Sequence, residues 1–262
     1  MTDLHIEVYG QGEVIVMLHG WAMHTGIWRD FAQLLATEYQ VRCMDLPGHG
    51  RSANITPYTL ESIVDAIHAQ LPEKKCMLLG WSLGGNVALR LAEKYPQRIK
   101  SLMLVASNPR FTQSKSWPGV APQNLQEFAD NLQANPVHTL LRFMSLQVLG
   151  KPDAKSMLKQ IKLVMQESPV ADPGALQGGL RVLQTIDQRE TIRHLALPVL
   201  MVFGGLDTLV PVSVAKECQL LSERIETRTI DGAGHIPFFS EQQQLLALLQ
   251  DFILRNARNG RG

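Results

Sequence analysis

Cysteine is scarce in this sequence, and its distribution argues against two common kinds of site. The 262 residues include three cysteines, Cys43, Cys76 and Cys218, which are far apart and odd in number. No C-x-x-C pair occurs, so the spacing predicts neither a metal clip nor a disulfide framework. Cys43 and Cys76 lie in apolar runs, where a small buried thiol is expected. We therefore expect a reduced, cytoplasmic protein.

Long apolar runs and a large net charge are also lacking. No run approaches the roughly 18 residues that cross a bilayer, and the basic start and apolar core of a signal peptide are missing. The formal net charge of +1 at pH 7 gives no reason to expect a nucleic-acid or membrane partner. Nothing resembles a dinucleotide-binding G-x-G-x-x-G, a Walker A sequence or a metal-ligand spacing. The sequence thus predicts no cofactor and no metal.

Short apolar runs alternate with helical patterns along most of the chain. The runs lie at 14–18, 41–44, 76–80, 101–106, 199–204 and 226–230. Amphipathic patterns, as at 60–71 and 86–95, fall between most of them. This alternation is typical of a mostly parallel sheet covered on both faces. The sequence therefore predicts an α/β fold that closes with a helix at 241–255.

One region interrupts the alternation. Between about Asn108 and Arg193 helical stretches are predicted near 123–133, 137–149, 153–167 and 174–185, separated by prolines and without a strand pattern. In open α/β sheets, ligands bind at the carboxyl ends of the strands. We therefore expect a core of residues 1–108 and 194–262, with residues 109–193 as an all-helical cap over that end.

The sequence GWSLG, at 80–84, matches G-x-S-x-G. It follows an apolar run and precedes a helical pattern, which is the strand–turn–helix context of a nucleophile elbow. Glycines at 80 and 84 leave room where neighbouring segments crowd such a turn. The pattern predicts Ser82 as a nucleophile, and a serine that caps the helix is the alternative.

Two residues downstream of the serine are its predicted partners. A serine hydroxyl is a weak nucleophile unless a base takes its proton and an acid orients that base. Asp207 and His235 follow strand runs in the order acid then histidine, each in a glycine-rich turn. Asp231 lies four residues before the histidine and suits a turn better. Asp45 and His49 form a rival pair, but both precede the serine, so loop bracing is favoured.

Two backbone amides are predicted to bind the oxyanion of a tetrahedral intermediate. Leu83 directly follows the serine at a helix N-terminus, where the helix dipole favours negative charge. Trp21, in LHGWAM, follows an early strand, where this kind of site has its second donor. The loss of one such donor typically costs ~10²–10³ in rate.

The motifs HGW, DLPGHGRS, GWSLGG, GGLDTLVP and GAGHIPF resemble the α/β-hydrolase superfamily in sequence and in order, over nearly the whole chain. Finer features, namely the tryptophan before the serine and RF-x-x-LQ in the cap, resemble the pimeloyl-[acyl-carrier protein] methyl ester esterase family of biotin synthesis. This resemblance implies an α/β-hydrolase fold and hydrolysis of a methyl ester. The ester would lie at the far end of an acyl chain held by acyl-carrier protein.

The resemblance also implies which residues contact the substrate. These are Trp21, Ser82, Leu83, His235 and the cap segment of Phe143, Met144, Ser145, Leu146 and Gln147. An apolar cap segment of this kind suits a tunnel for an aliphatic chain. The alternative is that Phe143 and Leu146 are ordinary core residues of a cap helix.

Basic residues are concentrated in the predicted cap. Between 138 and 166 one acid, Asp153, accompanies five basic residues: Arg142, Lys151, Lys155, Lys159 and Lys162. Lys155, Lys159 and Lys162 are spaced to line one helix face. A solvated face is the usual meaning of such a run. Because the implied carrier is acidic, steering of acyl-carrier protein by Arg142 and these three lysines is the alternative.

Several readings of the same chemistry stay open. A generic short-chain carboxylesterase, a lactonase or a C–C bond hydrolase would use the same residues, and a non-catalytic binding protein of this fold is a further alternative. Serine at the elbow excludes haloalkane dehalogenases and epoxide hydrolases, which need aspartate there. Trp81, directly before the serine, either packs beneath the cap or lines the acyl site.

Overall fold

A seven-stranded sheet forms the centre of the protein in the computed structural model, which describes residues 2–259. The strands are β1 (Ile6–Tyr9), β2 (Val14–Leu18), β3 (Gln40–Met44), β4 (Cys76–Trp81), β5 (Ile99–Val105), β6 (Val199–Gly204) and β7 (Ile225–Ile230). Their order across the sheet is β1-β3-β2-β4-β5-β6-β7. β1 is antiparallel to β3, and the other neighbours are parallel. The predicted mostly parallel sheet is confirmed.

Helices connect and cover the strands in the described part of the chain. They are α1 (Arg29–Leu35), α2 (Leu60–His68), α3 (Leu83–Lys94), α4 (Pro122–Ala134), α5 (Pro136–Gln147), α6 (Ala154–Met165), α7 (Pro173–Thr185), α8 (Arg189–His194), α9 (Val214–Leu221), α10 (Pro237–Ser240) and α11 (Gln242–Asn259). Strands β4 and β6 are buried at every position, and strands covered on both faces read as continuous apolar runs. Within residues 2–259 no helix combines the length and the apolar character needed to cross a membrane.

The apolar runs do not predict β1. This strand is four residues long, has the sequence IEVY and alternates in polarity. It pairs with the sheet on one side only, at the edge beside β3. A short edge strand needs few buried side chains, so its sequence does not stand out from that of a loop.

The helices α4 to α8 form an insertion between β5 and β6, which are neighbours in the sheet. The four helical stretches predicted there end within two residues of α4, α5, α6 and α7. Proline begins three of them, because it fits the first helical turn, where its missing N–H is not needed. The side chain of Asn135 caps α5, and that of Asp172 caps α7.

The helical insertion lies over the loops that follow β2 and β7. His24 shares a 3.0 Å hydrogen bond between its Nε2 and the carbonyl of Val164 in α6. The indole N–H of Trp21 donates to the carbonyl of Leu176 in α7 at 2.8 Å. In the loop after β7, the backbone N–H of His235 donates to the carbonyl of Gln147, the last residue of α5. The insertion is therefore fixed to the carboxyl end of the sheet by hydrogen bonds as well as by packing.

The three cysteines are free and buried. Burial raises the pKa of Cys76 to about 11 and that of Cys218 to about 12, and it raises the pKa of Cys43 as well. The thiolate is the nucleophilic form of cysteine, so none of these thiols is suited to catalysis near neutral pH.

Candidate active site

Ser82 lies in the turn from β4 to α3, with φ 53° and ψ −120°. A positive φ is costly for a residue with a side chain and is typical of functional turns. Hydrogen bonds to the Ser82 backbone hold this conformation. The Ser82 N–H donates to Val105 at 3.0 Å, and the Ser82 carbonyl accepts from the Gly85 amide at 2.9 Å and from the Ser107 hydroxyl at 3.0 Å.

Two glycines allow the chain to approach itself closely at this turn. A Cβ at position 80 would lie 2.5 Å from the carbonyl oxygen of Gly84, and one at position 84 would lie 2.3 Å from that of Leu18. Both contacts are with backbone, which cannot move aside as a flexible side chain can. Any larger residue at either position would therefore push α3 away from β2 and β4.

The hydroxyl of Ser82 is not a helix cap. Although Ser82 occupies the N-cap position of α3, its side chain makes no capping hydrogen bond. A capping serine would accept from one of the first amides of the helix. The structure therefore argues against the capping alternative and leaves the hydroxyl available for chemistry.

Asp207 and His235 form a buried pair next to this turn. The Nδ1 of His235 lies 2.8 Å from Oδ2 of Asp207, and both side chains are fully buried. The other carboxylate oxygen accepts from the backbone amides of Leu209 at 2.8 Å and Val210 at 3.0 Å. These bonds fix the carboxylate, and the carboxylate in turn assigns the proton of a neutral imidazole to Nδ1. Nε2 is then the basic nitrogen, and it has no hydrogen-bond partner among residues 2–259.

The backbone of His235 is held on both sides. Its N–H donates to the carbonyl of Gln147 at 3.2 Å, and its carbonyl accepts from the indole N–H of Trp81 at 2.8 Å. The Trp81 ring is fully buried and packs edge-on against Trp28 and Phe238. Neither sequence-based alternative for Trp81 included this role. Trp81 directly precedes the serine, and its hydrogen bond links the serine turn to His235.

The amides of Trp21 and Leu83 are the predicted donors to the oxyanion. Leu83 begins α3 directly after the serine, and Trp21 lies in the loop that follows β2. Within the described chain, neither amide donates to a backbone or side-chain acceptor. Both N–H groups are therefore available to a ligand oxygen.

His19 braces the loop that carries Trp21, which the sequence reasoning missed. Its Nδ1–H donates to the carbonyl of Gly20 at 2.8 Å, and its Nε2 accepts from the Leu46 amide at 2.9 Å. Burial lowers the pKa of His19 well below its usual range, so the ring is neutral and can accept on one nitrogen while it donates on the other. The signal for this role was the histidine of HGW, which directly precedes the loop.

An aromatic cluster of Trp21, Phe128 and Phe143 lies where the helical insertion meets the Trp21 loop. The Trp21 ring centroid is 4.9 Å from that of Phe143 and 5.8 Å from that of Phe128, both edge-on. α7 approaches the indole closely, since a Cβ at Gly179 would lie 2.8 Å from Trp21 Cδ1. Phe128, on α4, was not among the predicted site residues, because helical periodicity alone does not show which core residue faces a site.

The predicted segment of α5 divides between two faces of that helix. Phe143, Met144 and Gln147 are buried, and Leu146 is half-buried. Ser145 is exposed, and its hydroxyl donates to the carbonyl of Leu141 in its own helix. The side-chain amide of Gln147 is fully buried, and no described residue bonds to its Oε1 or Nε2. A buried amide without a partner costs about 1–3 kcal/mol, which a polar ligand group would offset.

The weaker acid and base candidates have other contacts. The carboxylate of Asp45 accepts from the Thr25 amide at 2.5 Å and the Arg51 amide at 2.9 Å. The Nδ1 of His49 lies 3.0 Å from the carbonyl of Pro47. Asp231 is exposed at the turn after β7. These contacts are consistent with the roles favoured from the sequence. Asp45 and His49 brace loops, and Asp231 lies in a turn.

The basic residues of the helical insertion fall into two groups. Lys155, Lys159 and Lys162 are exposed on α6, away from its buried residues Met157 and Ile161. Arg142 is exposed too, 3.8 Å from a carboxylate oxygen of Glu127.

Lys151, by contrast, points inward. Its Nζ donates to the carbonyl of Gly232 at 2.7 Å and to Glu241 at 2.6 Å, and its side chain is 10% exposed. It therefore does not belong to the basic face that the sequence pattern suggested.

No group of three or more His, Cys, Asp or Glu side chains within residues 2–259 is arranged to hold a metal ion. The site described above consists of a serine, a histidine–carboxylate pair, two free amides and an apolar wall. This set can carry out acyl transfer with protein groups alone.

Comparison with known proteins gives consistent matches. The family model of the alpha/beta hydrolase fold matches residues 13–242. The chain is 36% identical over 256 residues to the pimeloyl-[acyl-carrier protein] methyl ester esterase of Aliivibrio fischeri, covering 98% of this chain and 99% of that one. It is 38% identical over 256 residues to the protein of the same name from Aeromonas hydrophila, covering 96% and 99%.

Among solved structures, the chain is similar to an esterase from Exiguobacterium antarcticum, with a TM-score of 0.87, 21% identity and 96% of both chains covered. It is also similar to the enol-lactonase from Burkholderia xenovorans, with a TM-score of 0.84, 18% identity and 97% of both chains covered. At such identities these structures support the fold alone.

Proposed function

The chain belongs to the α/β-hydrolase family, together with the pimeloyl-[acyl-carrier protein] methyl ester esterases, and from this we propose that it is a serine esterase that hydrolyses the methyl ester of pimeloyl-[acyl-carrier protein] in biotin precursor synthesis. The observation that carries the proposal is the buried His235–Asp207 pair at 2.8 Å, beside a serine held in a strained elbow.

In the first half-reaction Ser82 is the nucleophile and His235 the base. The Ser82 oxygen attacks the ester carbonyl carbon while its proton passes to Nε2 of His235, and Asp207 stabilises the imidazolium that forms. The amides of Trp21 and Leu83 donate to the oxyanion. The intermediate collapses by breaking the bond to the methoxy group. Methanol leaves with the proton from His235, and the acyl chain remains on Ser82.

In the second half-reaction water is the nucleophile, and Ser82 is the leaving group. His235 takes a proton from water, and the resulting hydroxide attacks the acyl carbon. The same two amides hold the second oxyanion. When the bond to Ser82 breaks, its oxygen takes the proton back from His235. The products are a free carboxylate at the end of the chain and the regenerated serine.

In this proposal the acyl chain lies between the Trp21 loop and the helical insertion. Trp21, Phe128 and Phe143 supply aromatic surface there, which suits methylene groups. The unpartnered amide of Gln147 offers one polar contact. In this proposal residues 109–193 are the cap of the site, and Phe143, Met144, Leu146 and Gln147 line it.

The exposed lysines of α6, with Arg142, are the proposed contacts for the acidic carrier protein. Lysine is a strongly hydrated point charge on a flexible stem, so the attraction is diffuse. It would raise the association rate more than it would tighten the bound complex, and salt would weaken it.

The test compares two substrates on the same enzyme. Wild type should hydrolyse the carrier-bound pimeloyl methyl ester with a much higher kcat/KM than p-nitrophenyl acetate. Ser82→Ala should lose turnover of both and lose labelling by a fluorophosphonate. Ester hydrolysis that survives Ser82→Ala would overturn the mechanism, and equal efficiency on both esters would overturn the carrier-bound substrate.

The carrier contacts have their own test. The triple change Lys155→Glu, Lys159→Glu and Lys162→Glu should lower kcat/KM for the carrier-bound ester about tenfold or more and leave p-nitrophenyl acetate turnover unchanged. The control is Lys216→Glu, at an exposed lysine of α9, which should affect neither substrate. If the triple variant keeps its full rate on the carrier-bound ester at low salt, α6 is not the contact surface.

A further inference from the structure

Lys151 occupies the turn between α5 and α6 and is unusually buried for a lysine. The ammonium group of its side chain contacts two residues outside the helical insertion. These contacts are with the carbonyl of Gly232 at 2.7 Å and the carboxylate of Glu241 at 2.6 Å. A lysine side chain is rarely buried to this extent without a specific partner. Here the partners are the loop that follows β7 and the residue just before α11.

Several hydrogen bonds hold the loop from Gly232 to His235, and Lys151 makes the one at its first residue. The Ala233 amide donates to Ile230 at 3.0 Å, and the Ala233 carbonyl accepts from Leu206 at 2.9 Å. Gly232 is exposed, and its carbonyl accepts from the ammonium group of Lys151. Without that bond Gly232 would have no hydrogen bond to another described residue, whereas Ala233 and His235 would keep theirs.

A second bond joins the same two parts of the protein. The end of α5 accepts the His235 amide through the carbonyl of Gln147, and a Cβ at Gly234 would lie 2.9 Å from that oxygen. The last turn of α5 and the turn that follows it thus contact the histidine loop twice. Gln147 and Lys151 are four residues apart, and their partners in the loop, His235 and Gly232, are three residues apart.

We propose that Lys151 is a positioning residue for His235: it fixes the Gly232–His235 loop against the end of α5, so that the histidine is aligned only while the helical insertion is seated. The inference rests on the role of His235 as the base in the proposed function. Glu241 balances the lysine charge, so the pair positions the loop without adding net charge beside the imidazole.

The test uses Lys151→Met, which keeps most of the length of the side chain and removes its charge and its hydrogen bonds. With p-nitrophenyl acetate, which needs no carrier protein, kcat should fall about tenfold while KM changes less than twofold, because the nucleophile and base are misaligned and the acyl site is intact. Lys151→Arg should restore most of the rate, since a guanidinium can donate to both partners. Lys216→Met is the matched control and should behave as wild type.

A second measurement does not depend on activity. Hydrogen exchange of the amides from 231 to 240 should be faster in Lys151→Met than in wild type and should return towards wild type in Lys151→Arg. In Glu241→Gln, which keeps the bond between Lys151 and Gly232, the exchange rates should lie between those of wild type and Lys151→Met. If kcat and exchange in Lys151→Met both match wild type, the proposal is wrong. If wild type hydrolyses no ester, the proposed function fails, while the exchange rates still decide whether Lys151 holds the loop.

Discussion

The indole N–H of Trp81 donates a 2.8 Å hydrogen bond to the backbone carbonyl of His235. One side chain thus joins the residue before the proposed nucleophile to the proposed base, across 154 positions of sequence. Because the ring is fully buried and packed against Phe238, it cannot turn away. The spacing between the serine and the histidine therefore depends on the elbow itself as well as on the histidine loop.

Trp81→Phe should lower kcat for p-nitrophenyl acetate several-fold and the free energy of unfolding by about 0.5–1.5 kcal/mol beyond the cost of the lost volume. Trp28→Phe is the matched control. It removes the same atoms from the same cluster, but the indole N–H of Trp28 has no acceptor within residues 2–259. Urea denaturation and steady-state kinetics would measure both effects. Equal losses in the two variants would show that the bond to His235 contributes nothing.

Ser82→Gly should be more stable than Ser82→Ala by roughly 1 kcal/mol, because glycine adopts a positive φ without the steric cost that a Cβ brings. Ser156, exposed on α6, provides the opposite case, since glycine inside a helix is about 1 kcal/mol less stable than alanine. The midpoints of urea denaturation would compare the four variants. If alanine were the more stable residue at both positions, the elbow would not be strained.

The protein should lose stability as the pH falls below about 6.5, in part because of its buried histidines. Burial lowers the pKa of His19, His24 and His49 below the usual value. The unfolded chain therefore takes up protons near pH 6.5 while the folded protein does not. The stabilisation is complete above that pH and declines below it.

His49→Leu should reduce this loss between pH 7 and pH 5, by up to about 2 kcal/mol. His194→Leu is the control, because it also replaces a histidine by leucine, but at a side chain that is 76% exposed. The measurement is the free energy of unfolding at several pH values for the three proteins. An identical slope in wild type and His49→Leu would contradict the expectation.

Gly179→Ala should lower both stability and activity, although alanine favours a helix by about 1 kcal/mol. The new Cβ would lie 2.8 Å from Trp21 and 3.3 Å from Leu83, and Trp21 is held by its bond to Leu176. We expect a loss of about 1–2 kcal/mol and a lower kcat, because the Trp21 amide would shift.

The control for this variant is Gln177→Ala, at an exposed position of the same helix. It should stay within about 0.5 kcal/mol of wild type. Thermal denaturation and ester hydrolysis would be measured in parallel. A Gly179→Ala protein that gained stability would mean that α7 can move away from the Trp21 loop at little cost.

The sequence predicted the elements of this fold that leave a local pattern. The central strands are continuous apolar runs because both faces of the sheet are covered, and proline and capping residues define the helices of the insertion. The elbow at 80–84 has its own short sequence pattern. Asp207 and His235 each stand in a glycine-rich turn after a strand run. β1 has no such signature, since it is a short edge strand.

The remaining features depend on which distant residues meet, and local pattern does not carry that information. The lysine at position 151 looks like its neighbours on α6, yet its partners lie 81 and 90 positions away. The acceptor of Trp81 is a backbone carbonyl, which every residue has. Phe128 likewise joins the site only through the way the helical insertion packs on the Trp21 loop, whereas His19 stands in the HGW motif beside the loop that it braces.

The double contact between the end of α5 and the histidine loop also limits how this protein can be recombined. An exchange of the helical insertion with that of a relative would cut the chain near residues 109 and 193, where the sequence suggests a boundary. The last turn of α5 would then face a loop that had not changed with it. If Lys151 positions His235 as proposed, a functional chimaera needs its own Gly232–His235 loop and position 241, or the native turn at Lys151. On that proposal the unit to exchange is discontinuous and includes part of the core.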